Sequence, residues 1–284
     1  MFKPIKKYLS NLGEVPKRIQ HRHHIFWSDT NAERIRNTPM RAQDSMEKWK
    51  DVPYWQRKLS NKYNAREFAI KHGCKVADLY WKGSDVQQIN FETLPPYYVI
   101  RPTVGHSSNL VFVMEYGLNL FNEKRYTAEE IRSILSAEVA KNPDLEFLIE
   151  EFLENEDGEH AILDDYKLLC FNGKIASCHA IKRFSPSKGQ GNFYDEHWNK
   201  MEALHLKYPV VDGQKPPKCW DEIISQAKIL SKAYGIFVRL DFYASSKGAV
   251  FGEFTPTPGM GRHFSSYGKK LMISYWDTYC KGLV

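Results

Sequence analysis

The chain lacks the features that mark several specialised classes of protein. It has 5 cysteines in 284 residues and no pair spaced as CxxC, so neither a disulfide framework nor a structural zinc site is predicted. No apolar run approaches the roughly 20 residues that cross a bilayer. The sequence also contains no GxxxxGK[ST] and no GxSxG, so it predicts neither a P-loop nor a nucleophile elbow. The cysteine usage is typical of a reducing, cytoplasmic compartment.

What the chain does contain is enough apolar material for a large core. Hydrophobic residues make up 42% and aromatic residues 14% of the sequence. A folded chain of this size buries roughly three quarters of the surface that its unfolded form exposes. The composition therefore indicates a globular protein rather than a disordered or fibrous one.

The net charge of +6 is unevenly placed. Residues 1–50 hold 11 Lys and Arg against 5 Asp and Glu, which leaves 29 of each kind for the other 234 residues. A protein that binds nucleic acid through its folded body needs a basic face on that body. The neutral body therefore predicts no nucleic-acid partner.

The first residues carry an amphipathic pattern. Phe2, Ile5, Leu9 and Leu12 recur at helical spacing beside several lysines. A basic amphipathic helix of this kind can bind peripherally to an anionic membrane, here its inner, cytoplasmic face. The alternative, which we favour, is a helix that packs on the body and leaves its lysines in solvent.

Apolar periodicity predicts a mixed α+β architecture. Two strong turn signals, Asn172–Gly173 and 245–248, lie between alternating or apolar runs and predict hairpins. We predict helices over 56–73, 127–140, 221–234 and 267–279, strands over 97–101, 110–115, 146–153, 165–171, 174–184, 237–244 and 249–254, and a polar loop over 185–191. Because the strands come in hairpins, we expect antiparallel sheets and not a doubly wound parallel sheet.

The last hairpin carries a pair of carboxylates. With a turn near 245–248, Asp241 and Glu253 can face each other across the ladder, and Arg239 alternates onto the same face as Asp241. Two facing carboxylates repel unless a cation lies between them, and oxygen ligands of this kind suit Mg²⁺. The alternative is a surface carboxylate pair with Arg239 as its ion-pair partner.

Cations lie on or at the end of several other strands. Asp165 and Lys167 share one strand face, Arg183 lies on the returning strand, and Arg101 ends an earlier strand. Cations that converge near a carboxylate pair are what a Mg²⁺–polyphosphate complex requires. Exposed positions on a sheet face are the alternative for each lysine.

In chain order these pieces resemble the ATP-grasp superfamily, and within it the TupA-like branch that is associated with teichuronopeptide and polysaccharide biosynthesis. The resemblance runs from about Lys62 to Phe264 and rests on the combination of seven motifs, KYNAREFAIKHG, FETLPPYYVIRP, FLIEEFLE, DYKLLCFNGK, NFYDEHWN, FVRLDFY and GEFTPTPG. It implies an ATP-grasp fold, in which two α+β subdomains with antiparallel sheets hold ATP between them. The expected organisation is a basic helical N-terminal extension over 1–56, a linker helix and small subdomain over 57–153, and a large subdomain with the metal site over 154–284.

The resemblance also implies an activity and a set of site residues. The activity is an ATP- and Mg²⁺-dependent carboxylate–amine ligase that acts through an acyl phosphate on substrates that include sugar-linked ones. The implied ATP contacts are Arg101, the closing loop with His106, Ser107 and Ser108, the adenine hinge Glu150, Glu151, Phe152 and Leu153, a ribose contact at Asp157 or Glu156, and Lys167. The implied catalytic side chains are Lys167, Arg183 and Arg239, and the implied metal ligands are Asp241, Glu253 and Thr255, where the wider superfamily commonly has asparagine in place of the threonine.

Two other functions remain open. A kinase or phosphotransferase on the same scaffold would transfer phosphate to a hydroxyl, with no amine substrate. A nucleotide-binding but catalytically silent assembly factor, attached to a membrane through the basic arm, belongs to a different class.

Overall fold

The computed structural model describes residues 13–105, 109–185, 188–205 and 208–283. The amphipathic pattern of residues 1–12 and the three expected loop contacts His106, Ser107 and Ser108 lie outside the described residues. The helices are α1 (Glu14–Trp27), α2 (Ala32–Asn37), α3 (Met46–Trp49), α4 (Lys62–Lys71), α5 (Ala128–Lys141), α6 (Trp220–Tyr234) and α7 (Ser266–Tyr279), with 3₁₀ turns at Trp55–Ser60, Val86–Gln88, Phe91–Thr93 and Pro258–Gly261. The strands are β1 (Leu79–Gly83), β2 (Tyr97–Pro102), β3 (Phe112–Glu115), β4 (Leu118–Asn119), β5 (Lys124–Arg125), β6 (Phe147–Glu151), β7 (Asp165–Phe171), β8 (Lys174–Arg183), β9 (Gly189–Tyr194), β10 (Lys200–Met201), β11 (Phe237–Ser245) and β12 (Gly248–Thr255).

The strands form two six-stranded sheets, which we call the small sheet and the large sheet. The small sheet has the order β1-β6-β2-β3-β4-β5, and the large sheet has the order β10-β9-β8-β7-β11-β12. Neighbouring strands within both sheets run antiparallel. The α+β class with antiparallel sheets, predicted from the hairpin pattern, is confirmed.

Helix α5 covers one face of the small sheet. Its N-terminus is closed by a capping box, in which the Thr127 hydroxyl accepts from the amide of Glu130 and the Glu130 carboxylate accepts from that of Thr127. Ile131 and Leu135 are buried against strand residues that include Ile100 and Phe147. This apolar contact fixes the helix on one face of the sheet, and the opposite face carries Arg101 and Glu150.

The large sheet owes its register to tight turns. Asn172 and Gly173 both have positive φ, 48° and 89°, which the two-residue turn between β7 and β8 requires. The predicted hairpin at this point is confirmed. The polar loop predicted over 185–191 is in part wrong, because β9 begins at Gly189. Its glycines are needed there, since a Cβ on Gly191 would come 2.4 Å from the Ala180 oxygen.

The two faces of the large sheet are covered differently. On one face Tyr166, Leu168 and Leu240 pack against α6 and α4 in the largest core cluster. On the other face Leu169, Phe171 and Phe237 pack against α1 and α7. That second cover ends partway along the strands, and the same face continues as a set of polar residues that we call the open floor. It begins at Lys167 and Arg239, whose side chains are 18% and 21% exposed.

Residues 14–55 pack mainly on the large-sheet side of the molecule. Val15 and Ile19 of α1 join the cluster with α7, and Phe26 and Trp49 join the cluster around Phe68 of α4. No helix among the described residues is long and apolar enough to cross a bilayer.

Candidate functional site

Three neighbouring strands bring charged side chains into one row on the open floor. In the ladder Asp241 of β11 pairs with Glu253 of β12 on one side and with Lys167 of β7 on the other. The sequence prediction that Asp241 faces Glu253 is therefore confirmed. Because side chains directly opposite each other in a sheet point to the same face, all three groups meet above the same floor.

Arg239 ties this row together. Its guanidinium forms a fork on Asp241, with Nε 2.6 Å from Oδ1 and Nη2 2.7 Å from Oδ2. The same Nη2 lies 3.2 Å from Glu253 Oε1 and 2.9 Å from Thr255 Oγ1. One arginine thus contacts all three expected metal ligands.

The electrostatics of Asp241 favour its ionised form. Burial, which leaves Asp241 2% exposed, opposes ionisation, but Arg239 and Lys167 outweigh it and lower the pKa of the carboxyl. Burial likewise opposes the charge of Lys167, yet Asp165 and Asp241 raise its pKa. The pair is held as an ammonium and a carboxylate, with Lys167 Nζ hydrogen-bonded to Asp241 Oδ2.

Arg183 closes the row on the β8 side. It is hydrogen-bonded to Asp165 Oδ2, and its Nη1 lies 2.8 Å from the Tyr208 hydroxyl. Asp165 also lies 3.6 Å from Lys167. The three expected catalytic cations, Lys167, Arg183 and Arg239, are therefore joined through the carboxylates of Asp165 and Asp241.

The small sheet holds a second buried ion pair. Arg101 Nε and Glu150 Oε2 are hydrogen-bonded, and Arg66 Nε lies 3.6 Å from the other carboxylate oxygen of Glu150. Burial opposes the charge of Arg101, but Glu150 raises its pKa. Both residues were expected to contact ATP, and the structure places them against each other.

The expected adenine hinge leaves β6 and is held by the turn between β11 and β12. Lys247 in this turn contacts Glu151 at 2.7 Å and Asp78 at 2.9 Å. The neighbouring Ser246 donates from its amide to the Glu154 carbonyl at 3.2 Å and from its hydroxyl to the Glu154 carboxylate at 3.0 Å. Phe152 and Leu153 are buried between these contacts.

The acidic residues beyond the hinge occupy other positions. Glu156 accepts from the amides of Lys218 and Cys219, both at 3.0 Å, directly before α6. Asp157 is exposed and pairs with the Lys218 ammonium at 2.7 Å. Neither contact brings these carboxylates into the row around Asp241.

Lys62, which sequence reasoning did not select, points toward the same region. It opens α4, where the Asn61 side chain caps the helix, and its amide donates to the Thr103 carbonyl at 2.7 Å. Burial lowers the pKa of Lys62, Glu253 opposes that shift, and Arg101 adds to it. The ammonium therefore lies within electrostatic range of both the large-sheet carboxylate and the small-sheet arginine. The signal available in the sequence was Asn61, a residue type that favours helix N-caps, but it lies inside the helix predicted over 56–73 and was not recognised as a helix start.

His179 was also missed, because a lone histidine in an apolar strand carries no pattern. It pairs with Lys167 in the β7–β8 ladder and stacks on Phe193 with ring centroids 4.2 Å apart. Burial and the nearby His205, Lys167 and Arg183 lower its pKa to about 2. The imidazole is therefore neutral at physiological pH and borders the cationic row.

The donors of the row fit magnesium better than a soft metal. Asp241, Glu253 and Thr255 offer carboxylate and hydroxyl oxygens, and Mg²⁺ is usually held by one or two carboxylates with substrate phosphates completing the set. No group of three or more His, Cys, Asp or Glu side chains within the described ranges forms a complete metal site of its own. Glu253, with 36% of its side chain exposed, is more accessible than Asp241, whose side chain is 3% exposed.

Comparisons with known proteins place this geometry in a family. The model of the TupA-like ATP-grasp family matches residues 41–271. No curated protein matches the chain at a significant level.

Among solved structures, the chain is similar to a D-alanine–D-alanine ligase from Bacillus anthracis, with 18% identity, a TM-score of 0.48, and coverage of 78% of this chain and 64% of that one. It is also similar to the ATP-grasp ligase PsnB bound to a minimal precursor, with 12% identity, a TM-score of 0.44, and coverage of 77% and 60%. A third similar structure, the D-cycloserine synthetase DcsG, has 13% identity, a TM-score of 0.47, and coverage of 78% and 71%. The chain thus spans less than two thirds of the length of the first two. Because the family model covers most of the sequence, the chain belongs to the TupA-like ATP-grasp family.

Proposed function

We propose that the protein is an ATP- and Mg²⁺-dependent ligase that joins a carboxylate to an amine. The observation that carries this proposal is the row Lys167–Asp241–Glu253, with Arg239 bound across it. Two carboxylates and two cations on one open floor suit a triphosphate with its metal. Family membership supplies the ATP-grasp context.

ATP would bind between the two sheets. Lys62 of α4, which bonds to the Thr103 carbonyl after β2, and Arg101 of β2 would face Lys167 and Arg239 of the large-sheet floor, so the phosphates would be surrounded by cations. Asp241, Glu253 and Thr255 would hold Mg²⁺, which supplies charge neutralisation at phosphate oxygens. The hinge Glu150 to Leu153 would take the adenine edge.

The reaction balances without a protein nucleophile. A carboxylate oxygen of the substrate attacks the terminal phosphorus of ATP, ADP leaves, and an acyl phosphate forms. An amine nitrogen then attacks the acyl carbon, phosphate leaves, and the nitrogen loses a proton to give the amide. Arg183 and Arg239 would stabilise the charge on the transferring group. Burial raises the pKa of all five cysteine thiols, which suits a structural role for Cys74, Cys170, Cys178, Cys219 and Cys280.

For the two substrates we propose a chemical class rather than a specific compound. We propose a carboxylate or amine linked to a sugar or a cell-surface polymer, an enzyme in the cytoplasm, and a peripheral membrane contact through the basic amphipathic pattern of residues 1–12. Segment 189–199, GQGNFYDEHWN, places aromatic rings beside polar groups, a combination that suits a sugar, but its rings are packed: Tyr194 stacks on Trp198 with ring centroids 4.0 Å apart, and Trp198 meets Trp220 edge-on. The acceptor site is therefore expected elsewhere along the floor.

The first test is thermal stabilisation by ATP and Mg²⁺, together and apart. A ligand at 100 times its Kd adds about 2.7 kcal/mol to the free energy of unfolding. We expect the wild type to gain stability only with both, and Glu253→Ala to lose most of that gain. Glu129→Ala is the matched control, because it removes one carboxylate that is 80% exposed on α5. A wild type that ignores ATP with Mg²⁺ would sink the proposal.

Product analysis separates the ligase from its alternatives. A ligase releases ADP and phosphate in equal amounts only when both a carboxylate and an amine are present. A phosphotransferase gives ADP and a phosphorylated acceptor with no free phosphate. A silent nucleotide-binding factor gives neither, even though the thermal shift is normal.

A further inference from the structure

One arginine of helix α1 is buried without an acidic partner. Arg22 is 0% exposed, and no carboxylate of the described chain lies within ion-pair distance of its guanidinium. Its Nη1 donates to the carbonyl oxygens of Phe237 and Pro256, the latter at 3.3 Å. The planar group lies over the rings of Trp276 and Phe237, with centroids 4.8 and 5.3 Å away.

This burial is costly. Desolvation lowers the pKa of Arg22 to about 10, so the group still carries its charge at neutral pH. Its Nε and Nη2 have no hydrogen-bond partner among the described residues. A buried charge without an opposite charge normally destabilises a fold by several kcal/mol. The two ring faces and two carbonyls offset only part of that cost.

The positions of the two carbonyls show that Arg22 contacts the ends of β11 and β12. Phe237 begins β11 two residues before Arg239, and Pro256 directly follows Thr255, the last residue of β12. Arg239 and Thr255 form the terminal pair of this ladder. Arg22 therefore joins the two strands just beyond the point where their own pairing stops, next to the residues that carry the row.

A second contact presses the same helix onto the chain that leaves β12. Gly261 has φ of +72°, and a Cβ there would come 2.7 Å from the Cα of Pro16. Gln20 also donates to the Met260 carbonyl at 3.5 Å. Helix α1 thus fixes both the end of β12 and the turn Pro258–Gly261 that follows it.

We propose that Arg22 is a positioning residue, which sets Thr255 and Glu253 relative to Arg239 by clamping the ends of their strands. It touches none of the reacting groups and acts through the Pro256 and Phe237 carbonyls. The metal-binding consequence rests on the proposed function, whereas the clamp itself does not. Arg22 also precedes residues 41–271, the part matched by the family model, so the clamp comes from the segment that the family pattern does not include.

The test compares Arg22→Met and Arg22→Lys with Arg57→Met. Arg57 is the control, since it is also buried and also donates to two carbonyls, those of Phe26 and Pro53, both at 3.1 Å, although it differs from Arg22 in lying 3.4 Å from a carboxylate oxygen of Asp29. Those carbonyls lie outside β11 and β12. Hydrogen exchange is measured on the full chain without nucleotide, and the Mg²⁺ concentration for half-maximal thermal shift is measured at fixed ATP.

We expect Arg22→Met to speed exchange at the amides of Arg239 and Thr255, the terminal pair of the β11–β12 ladder, about tenfold more than elsewhere. We also expect it to raise the half-maximal Mg²⁺ concentration about tenfold, which is about 1.4 kcal/mol. Arg22→Lys retains one donor and is expected to fall between wild type and Arg22→Met. Arg57→Met is expected to lower the melting temperature without either local effect.

The proposal would be overturned if both Arg22 variants changed the exchange rates uniformly along the chain. It would also be overturned if Arg57→Met raised the half-maximal Mg²⁺ concentration as much as Arg22→Met does. If Arg22→Met does not fold, Arg22→Lys alone decides between local and uniform exchange. If the wild type shows no response to ATP with Mg²⁺, the proposed function fails, and the exchange pattern still decides whether Arg22 clamps the strand ends.

Discussion

The face of the large sheet that carries the row has two halves built on the same strands. In the covered half, Leu169, Phe171 and Phe237 lie under α1 and α7. In the open half, two to four residues away from Leu169 and Phe237 along β7 and β11, the same face carries Asp165, Lys167, Arg239 and Asp241. The backbone ladder is continuous through both halves, so the change lies in the side chains and in what covers them.

The comparison shows how a rigid core can position charged groups. The covered half excludes water and gains free energy from apolar burial. The open half satisfies its charges against each other, with each carboxylate held by at least one cation. Because these charged side chains are already held in place, they need little rearrangement when an anionic ligand binds. Catalysis by charge stabilisation requires such fixed charges.

Phe171→Ala tests the covered half and carries the largest expected effect. Phe171 is fully buried, with ring centroids 4.7 Å from Phe237 and 6.0 Å from Trp276. Its truncation should cost about 3–5 kcal/mol of unfolding free energy in chemical denaturation. Phe184→Ala is the control, since Phe184 is 52% exposed and its loss should stay within about 0.5 kcal/mol. Equal losses in the two variants would contradict the division of the face.

Lys62→Met tests whether the ammonium at the start of α4 contributes to the open half. Burial already disfavours the charge of Lys62, so its removal should leave the unfolding free energy of the free protein nearly unchanged. A lost hydrogen bond to a charged phosphate should weaken ATP binding by about 2 kcal/mol, or about 30-fold. Calorimetric titration with ATP and Mg²⁺ measures this, and Lys71→Met at the far end of α4 is the control. Equal affinity in Lys62→Met and wild type would remove Lys62 from the site.

His179→Gln tests the boundary between the halves. The pKa of His179 is about 2 in the folded state, against about 6.5 in the unfolded state, so only the unfolded state takes up a proton between these values. Stability is therefore highest above pH 6.5 and falls as the pH is lowered, by about 1.4 kcal/mol at pH 5.5. Denaturation at pH 7.5 and 5.5 should show that His179→Gln loses about this much less than the wild type. An identical pH dependence would mean that the imidazole is protonated in the folded state.

Much of the large sheet could be predicted because its turns are indicated by the residues of the turns themselves. The 245–248 turn sets the register that brings Glu253 beside Asp241, and Asn172–Gly173 sets the register of β7 against β8. The pairing of β7 with β11, which brings Lys167 beside Asp241, joins strands that are distant in sequence and is set by neither turn. The helix opened by Thr127 was also predicted within a residue, since its capping box is a local pattern. Such features depend on a few neighbouring side chains, and a sequence displays them directly.

Features that depend on distant contacts could not be predicted. Strand β1, over Leu79–Gly83, has no clear alternation and exists because β6 pairs with it. The predicted helix over 56–73 is a 3₁₀ turn and a separate helix divided at Asn61, whose side chain caps α4. Lys62 and Arg22 owe their positions to the Thr103 and Phe237 carbonyls, which lie far away in sequence.

The turn between β11 and β12 has a mechanical consequence. Ser246 and Lys247 hold the segment that joins the two sheets, while the opposite end of the same strands carries Arg239 and Thr255. Lys62 of α4, which packs on the large sheet, also joins the end of β2 through its amide hydrogen bond to the Thr103 carbonyl. The two sheets are therefore tied at more than one place, and the turn between β11 and β12 is one of the ties that set the distance between the small sheet and the carboxylate row.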